Sequence, residues 1–310
     1  MDTSSINPLL LLASLMVAST PILLAALGEL VVERAGVLNL GVEGMMITGA
    51  VCGFAIAIET GAPVLGFAAA ALGGAALALV FGLLTQILLS NQVATGLALT
   101  LFGLGLSAMI GQGYSGIRGP VLPDVPLGPL ADLPVLGPVL FRHDAVVYLS
   151  LGLVLAVWLF LTRTRAGLVL RSVGESAEAA HALGTKVVAI RLAAIAFGGA
   201  CAGLGGAYIS LVRVPQWTEG MTAGAGWIAL ALVVFASWRA ERVLLGAYLF
   251  GGLTVLQLNL QAAGAAIRVE YLSMAPYLIT ILVLVVLSSG RGRTALGAPA
   301  ALGRTFHAAS

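Results

Sequence analysis

The chain has 310 residues, of which 60% are hydrophobic and 9% charged, with a formal net charge of +2 and a mean hydropathy of +1.07. No soluble domain of this length needs so much apolar surface, so the composition points into the membrane. The small positive balance, with its basic residues set beside apolar runs, excludes a nucleic-acid surface.

A bilayer-spanning helix needs about 20 mainly apolar residues, and such windows recur in chain order. The first, Leu9 to Leu27, has no basic residues ahead of it and only Asp2 as an early charge, so it reads as a retained span and not a cleaved signal. Glu29, Glu33 and Arg34 then mark a short cytoplasmic turn. Val37 to Ile58 follows as a weaker span, because it carries Asn39 and Glu43. Val64 to Leu89, Val93 to Gly113, Ala145 to Leu161 and Leu192 to Val212 are clear spans, as are Val243 to Leu260 and Ser273 to Leu287. Trp227 to Trp238 is short for a crossing, and a re-entrant or broken helix is open there and at Val37 to Ile58, since irregular backbone survives at membrane depth only inside protein or beside water. The expectation is an all-α polytopic membrane protein with about nine transmembrane helices, roughly 8 to 10, in one transmembrane domain over residues 1–290.

Charge sets the orientation. With the break at Arg163 to Arg191 on the cytoplasmic side, 11 of the 15 basic residues fall inside and Arg118, Arg142, Arg213 and Arg268 fall outside, the bias expected of retained loops. The tail, 291–310, is then cytoplasmic.

A charged side chain deep in a bilayer costs roughly 2.5 to 3.5 kcal/mol on insertion scales, so Glu43 must face protein or water. Asn39 and Glu43 are four apart, which puts them on one face of a continuous helix, while Gly41 and Gly44 weaken that helix and permit a break. Two readings stay open: a polar residue reaching the interface, and a substrate pathway lined by Asn39, Gly41, Glu43 and Gly44. The loop 113–144 contains six prolines, which predicts an ordered, non-helical external segment, either a docking surface or a cap. Gly199 and Gly203 form a GxxxG pair suited to close helix packing, in the bundle or in a dimer.

Within Arg163 to Arg191, Ser172 and Glu175 stand in a capping-box relation ahead of AEAAHAL, and Gly184 ends the run. This predicts a surface helix over 174–183, either a groove-seeking contact for another protein or a plain solvated connection. His143, His181 and His307 have no partner ligands at metal spacing. Cys52 and Cys201 read as packing residues within spans. The nucleotide-cradling pattern GxxxxGK[ST] is missing, and Lys186 is the single lysine, so no cofactor is expected on this chain and any ATP that drives it is hydrolysed by another polypeptide. Hydrolase elbows and paired catalytic groups are also missing, and an enzyme is not expected.

Three blocks of the sequence, GELVVERAGVLNLGVEGMMITGA, DLPVLGPVLF, and RAGLVLRSVGESAEAAHALGTKV running on to GGACAGLGGAY, resemble the permease subunits of bacterial ATP-binding-cassette importers for simple sugars and nucleosides, a branch related to branched-chain amino acid permeases. The resemblance covers about Gly28 to Leu287. It implies a homo- or heterodimer of permeases in the lipid of the inner membrane, a pair of cytoplasmic ATPase subunits, and a substrate-binding protein delivering solute from outside. It also implies that Gly174, Glu175, Ala179, Ala180 and Gly184 form the segment received by the ATPase. The first block looks more like the nucleoside-type members. Ser176 departs from the family, where Asn is frequent. A rival from another class is an ion-driven secondary transporter with Glu43 as its titrating carboxylate.

Overall fold

The computed structural model describes residues 8–126, 128–134, 136–262 and 297–307, with isolated helical positions at 271, 274, 278, 281, 282 and 285. The predicted span Ser273 to Leu287 therefore lies largely outside the described residues, as do Arg268, Arg291 and Arg293.

Among the described residues, helices long and apolar enough to cross a bilayer number seven. They are α1 (Pro8–Arg34), α2 (Val42–Thr60), α3 (Pro63–Gly82), α4 (Gln92–Gly111), α6 (Ala145–Arg163), α9 (Val187–Tyr208) and α11 (Ala240–Ala262). Two are prolonged by π-helical turns, α3 by Leu83–Ile87 and α9 by Ile209–Arg213. Between α4 and α6 the proline-rich loop folds into a two-stranded antiparallel ribbon, β1 (Asp124–Pro126) on β2 (Arg142–Asp144), around the short helix α5 (Leu136–Leu140). The loop is ordered as expected, but not free of helix: the five residues of α5 fit between ribbon strands that bring its ends together.

The remaining helices are α7 (Arg165–Glu175), α8 (Ala177–Ala182) and α10 (Ala225–Phe235). At 11 residues, α10 rises only ~16 Å at ~1.5 Å per residue, about half of a ~30 Å hydrocarbon core. Val214–Gly224, ahead of it, carries no helix.

Depth in the bundle is uneven. The window of α1 is 89% buried and that of α4 only 28%, so α1 is central and α4 peripheral. α9 is the other central helix, and its small residues explain why. Gly198 abuts Val32 and Gly28 of α1, Gly199 abuts Gly74 and Ala78 of α3, and Gly206 abuts Met46 of α2. Apolar burial gives little net drive between helices in lipid, so close backbone approach and van der Waals contact carry the packing. Gly199 and Gly203 thus serve the bundle of one chain.

A Cβ on Gly203 would collide with the Ala70 carbonyl oxygen, and the residue also lies against Gly49. Gly203→Val should overpack this crossing at a cost of about 1–3 kcal/mol, seen as earlier thermal unfolding in detergent. Gly105→Ala, where nothing lies within 4 Å, should leave the transition unchanged.

Candidate functional site

The first-turn N–H groups of a helix have no partner within it, and those of α10 need one from elsewhere. The sequence supplies one from 179 residues away: Glu43, in the first turn of α2 and 3% exposed. Its Oε1 accepts from Thr222 Oγ1 (2.5 Å) and from the Gly224 amide (2.9 Å), and its Oε2 accepts from the Gly226 amide (2.7 Å). Charge-assisted bonds of this kind are short and strong, and a carboxylate at a helix N-terminus also meets the positive end of the dipole. The approach is so close that Gly226 has no room for a Cβ, which would lie 2.5 Å from the Glu43 nitrogen. Glu43 therefore caps α10.

Asn39 and Glu43 do not share a helix face. Residues 35–41 are non-helical and α2 begins only at Val42. Asn39 is fully buried, and its Oδ1 accepts from the Gly41 amide (2.9 Å), turning the chain into α2. Several groups of this irregular backbone are satisfied by side chains from other segments. The Leu38 amide donates to Gln92 Oε1 (2.8 Å), the Asn39 amide to Glu29 Oε1 (3.4 Å), and the Leu40 carbonyl accepts from Thr100 Oγ1 (3.1 Å). Gly41 precedes the helix, but Gly44 breaks nothing. It lies within α2 where α4 crosses, so close that a Cβ would meet the Leu99 carbonyl oxygen at 2.6 Å.

Glu29 and Glu33 do not form a hydrated turn. They occupy the last turns of α1, 1% and 0% exposed, because α1 runs on to Arg34, beyond the apolar window. The Trp238 indole N–H donates to Glu33 Oε2, while Glu33 Oε1 has no partner among the described residues. Arg34 Nε and Nη2 donate to the Trp238 carbonyl (3.1 and 2.7 Å). These bonds hold the exit from α10, where Ser237 and Trp238 stand at φ 51° and 55°, a left-handed backbone that costs roughly 1–2 kcal/mol per residue outside glycine.

The predicted surface helix over 174–183 is two helices. α7 is capped by Thr164, whose hydroxyl accepts from the Gly167 amide (3.0 Å), and α8 by Ser176, which accepts from the Ala179 amide (3.2 Å). Ser172 does not cap: it lies inside α7 and donates to the Val169 carbonyl (2.7 Å), since helix already begins at Arg165. Ser176, extended at φ −150° and ψ 101°, separates the two. Gly184 ends the element at φ +82°. Glu175, Glu178, Ala179, Leu183 and Gly184 are exposed, whereas Gly174 and Ala180 are buried. Gly174 packs on the Arg34 carbonyl and on Gly36. The pair serves to place the exposed face, with Leu183 at 87% exposure its most prominent side chain.

Thr222, Gly224 and Gly226, the donors to Glu43, are not singled out by the sequence reading; the stretch TAGAG ahead of an apolar run is the signal that could have marked a buried helix start. Fully buried Arg191 is also unforeseen. A cavity of about 450 Å³ between α1, α6, α7 and α9 is lined by Val31, Leu153, Val157, Phe160, Leu170 and Phe197 among others, all apolar, and offers a hydroxylated solute no partner.

The family model described as the branched-chain amino acid transport system / permease component matches residues 11–287. The chain is 44% identical, over 86% of its length and 88% of the relative's, to TsgC13 of Haloferax volcanii, an ABC transporter permease protein whose name gives glucose provisionally as its solute. It is 31% identical to the nucleoside ABC transporter permease NupC of Lactococcus lactis, over 89% and 91% of the two chains. It is 32% identical to the guanosine ABC transporter permease NupQ of Bacillus subtilis, over 92% and 93%. No solved structure matches the chain.

If Glu43 caps α10, Glu43→Ala should leave buried donors unpaired at about 1–3 kcal/mol each, with a clear fall in thermal stability in detergent. Glu43→Gln keeps an acceptor oxygen but places an amide donor against N–H groups, and should fall between the two. An unchanged melting temperature in Glu43→Ala would rule out the cap.

Proposed function

We infer the function from the premise that this chain belongs to the branched-chain amino acid transport permease family. It is the membrane-spanning permease subunit of an ATP-binding-cassette importer, a class that works with an ATPase and a substrate-binding protein. The solute we propose is a nucleoside or a simple sugar. The observation that carries this is the near full-length similarity to permeases named for glucose, nucleosides and guanosine. Branched-chain amino acids are the second reading, supported by the family description.

Two permeases, alike or different, pair in the membrane, and ATP is used by the partner ATPase. We place the α7–α8 end in the cytoplasm, on the charge bias of the loops, together with the C-terminal segment. Arg34, Arg171 and Arg239 line one cavity at that end, and Arg191 donates to the Arg304 carbonyl there. The exposed face of Glu175, Glu178, Ala179, Leu183 and Gly184 is the proposed ATPase contact. Because α8 follows α7 and leads directly into α9, a push on it reaches the central helix of the bundle.

The mechanism is alternating access. ATP binding closes the ATPase pair, and the closed pair must contact α8 differently in the two permease states, because a contact equal in both shifts no equilibrium. The non-helical Val214–Gly224 followed by the short α10 supports a broken crossing of the kind with which transporters admit solute at mid-depth. An ion-driven mechanism through Glu43 has less support, since both of its oxygens are engaged by the protein.

Uptake of labelled guanosine or glucose by cells expressing the complete transporter should stop on ATP depletion with the ion gradients held. Ala179→Trp should lower uptake by about tenfold or more, in line with a coupling energy of at least ~1.4 kcal/mol, and should weaken co-purification of the ATPase. Normal uptake and assembly in Ala179→Trp would sink the α8 contact.

A further inference from the structure

The sequence reading treats the tail after residue 290 as separate from the permease domain, yet Gly297–His307 runs back across the bundle. A six-residue helix such as α8 is too short to persist on its own in water, where isolated helices under ~12–15 residues are marginal. Its buried face must be held by something, and the holder is Phe306. This ring, 7% exposed, packs with Val173, Ala177, Ala180 and Val187, and stands edge-to-face with His181 at 5.4 Å between centroids.

The rest of the segment is stitched down by backbone bonds to two different elements. The Ala301 amide donates to the Gly174 carbonyl (2.9 Å) at the end of α7, and the Gly303 amide to the Gly36 carbonyl (3.2 Å) in the turn between α1 and α2. Arg34 Nη1 donates to the Gly297 carbonyl (3.1 Å), and Arg191 Nη1 to the Arg304 carbonyl (3.2 Å). The Ala300 amide lies 3.4 Å from Glu175 Oε2. Arg191 also donates from Nε to the Ala35 carbonyl (3.1 Å) and from Nη1 to Gln86 Oε1 (3.2 Å). Gly36, at φ +84°, allows the three backbones to meet: a Cβ there would lie 3.2 Å from Gly174 Cα and 3.3 Å from the Ala301 oxygen.

We propose that Gly297–His307 is a positioning strap, which clamps α8 through Phe306 and ties it through Ala301 and Gly303 to the α1–α2 turn, so that displacement of α8 is passed to α2. Its transmitting role rests on the reading of α8 as the ATPase contact; its grip on α8 rests on the contacts above alone. The route is continuous. From the strap and Gly36 the chain runs through Asn39 into α2, whose Glu43 holds the start of the short helix α10. Transmission needs such a connected element with two positions available to it.

The grip and its transmitting role are tested separately in the assembled transporter, using a chain ending at Leu296, Phe306→Ala, and Phe306→Leu. Amide hydrogen exchange over residues 173–187 should rise about tenfold in the truncated chain and in Phe306→Ala, while exchange in α2 and α9 stays within about twofold of the parent, marking local release and not unfolding. Phe306→Leu, which keeps an apolar side chain in the cluster, should restore most of the protection. Unchanged exchange over 173–187 in both the truncated chain and Phe306→Ala would overturn the strap, whatever the ATPase contacts. For transmission, the ATPase should co-purify with the truncated chain to within about twofold, while uptake per assembled complex falls about tenfold. Parental uptake in the presence of raised exchange would overturn transmission and leave the grip intact. Failure of the α8 contact itself shows in Ala179→Trp, where the strap is whole.

Discussion

A helix leaves its first N–H groups without partners of its own, and much of this structure follows from how that demand is met at α10. The partner is a carboxylate, Glu43, brought into place by α2 and sealed by Thr222, Gly224 and Gly226. For the carboxylate to arrive there, α2 starts only at Val42, and the chain before it climbs to that point without helix. Asn39, Gln92, Thr100 and Glu29 satisfy that climbing backbone. One broken helix thus calls for a second irregular segment, and the two stabilise each other.

The opposite end of α10 is held with equal economy. Trp238 joins Glu33 through its indole and Arg34 through its carbonyl, so α1 fixes the point where α10 turns toward α11. Arg34 then reaches Gly297, and Arg191 reaches Arg304. The guanidinium suits this work, since its donors fan out in a rigid plane and can serve several carbonyls at once. Arg34 and Arg191 bind backbone carbonyls, whereas among the described residues the ion pairs are Arg142 with Asp132 and Arg239 with Glu241, both on exposed side chains, where such pairs contribute about 0–1 kcal/mol.

How much of the site is legible in the sequence varies with the residue. Glu43 stands out because an ionisable group inside an apolar run is expensive and needs a reason, but its partners lie 179 to 183 residues away and no local rule connects them. Glu29, Glu33 and Arg34 look like a hydrated turn because a hydropathy window ends before them, while the helix that carries them does not. Ser172 and Ser176 both stand ahead of the AEAAHAL run and either could cap a helix; the choice fell to Ser176 once Thr164 had started α7 and placed Ser172 within it. The glycines of α9 announce close packing, yet whether they meet another chain or their own is a matter of which surfaces the fold leaves free.

The sequence by itself determined that the chain is helical and lives in a membrane, because backbone groups in lipid must be satisfied locally and long apolar runs have no other solution. It also determined the family, since the family model spans residues 11–287 and relatives match over nearly the whole chain. Only the tertiary structure decided that Glu43 is a cap, that Gly174 and Ala180 face inward, and that the tail returns to clamp α8. Each of those depends on pairings between distant segments, and such a pairing exists only when packing brings both partners to one place.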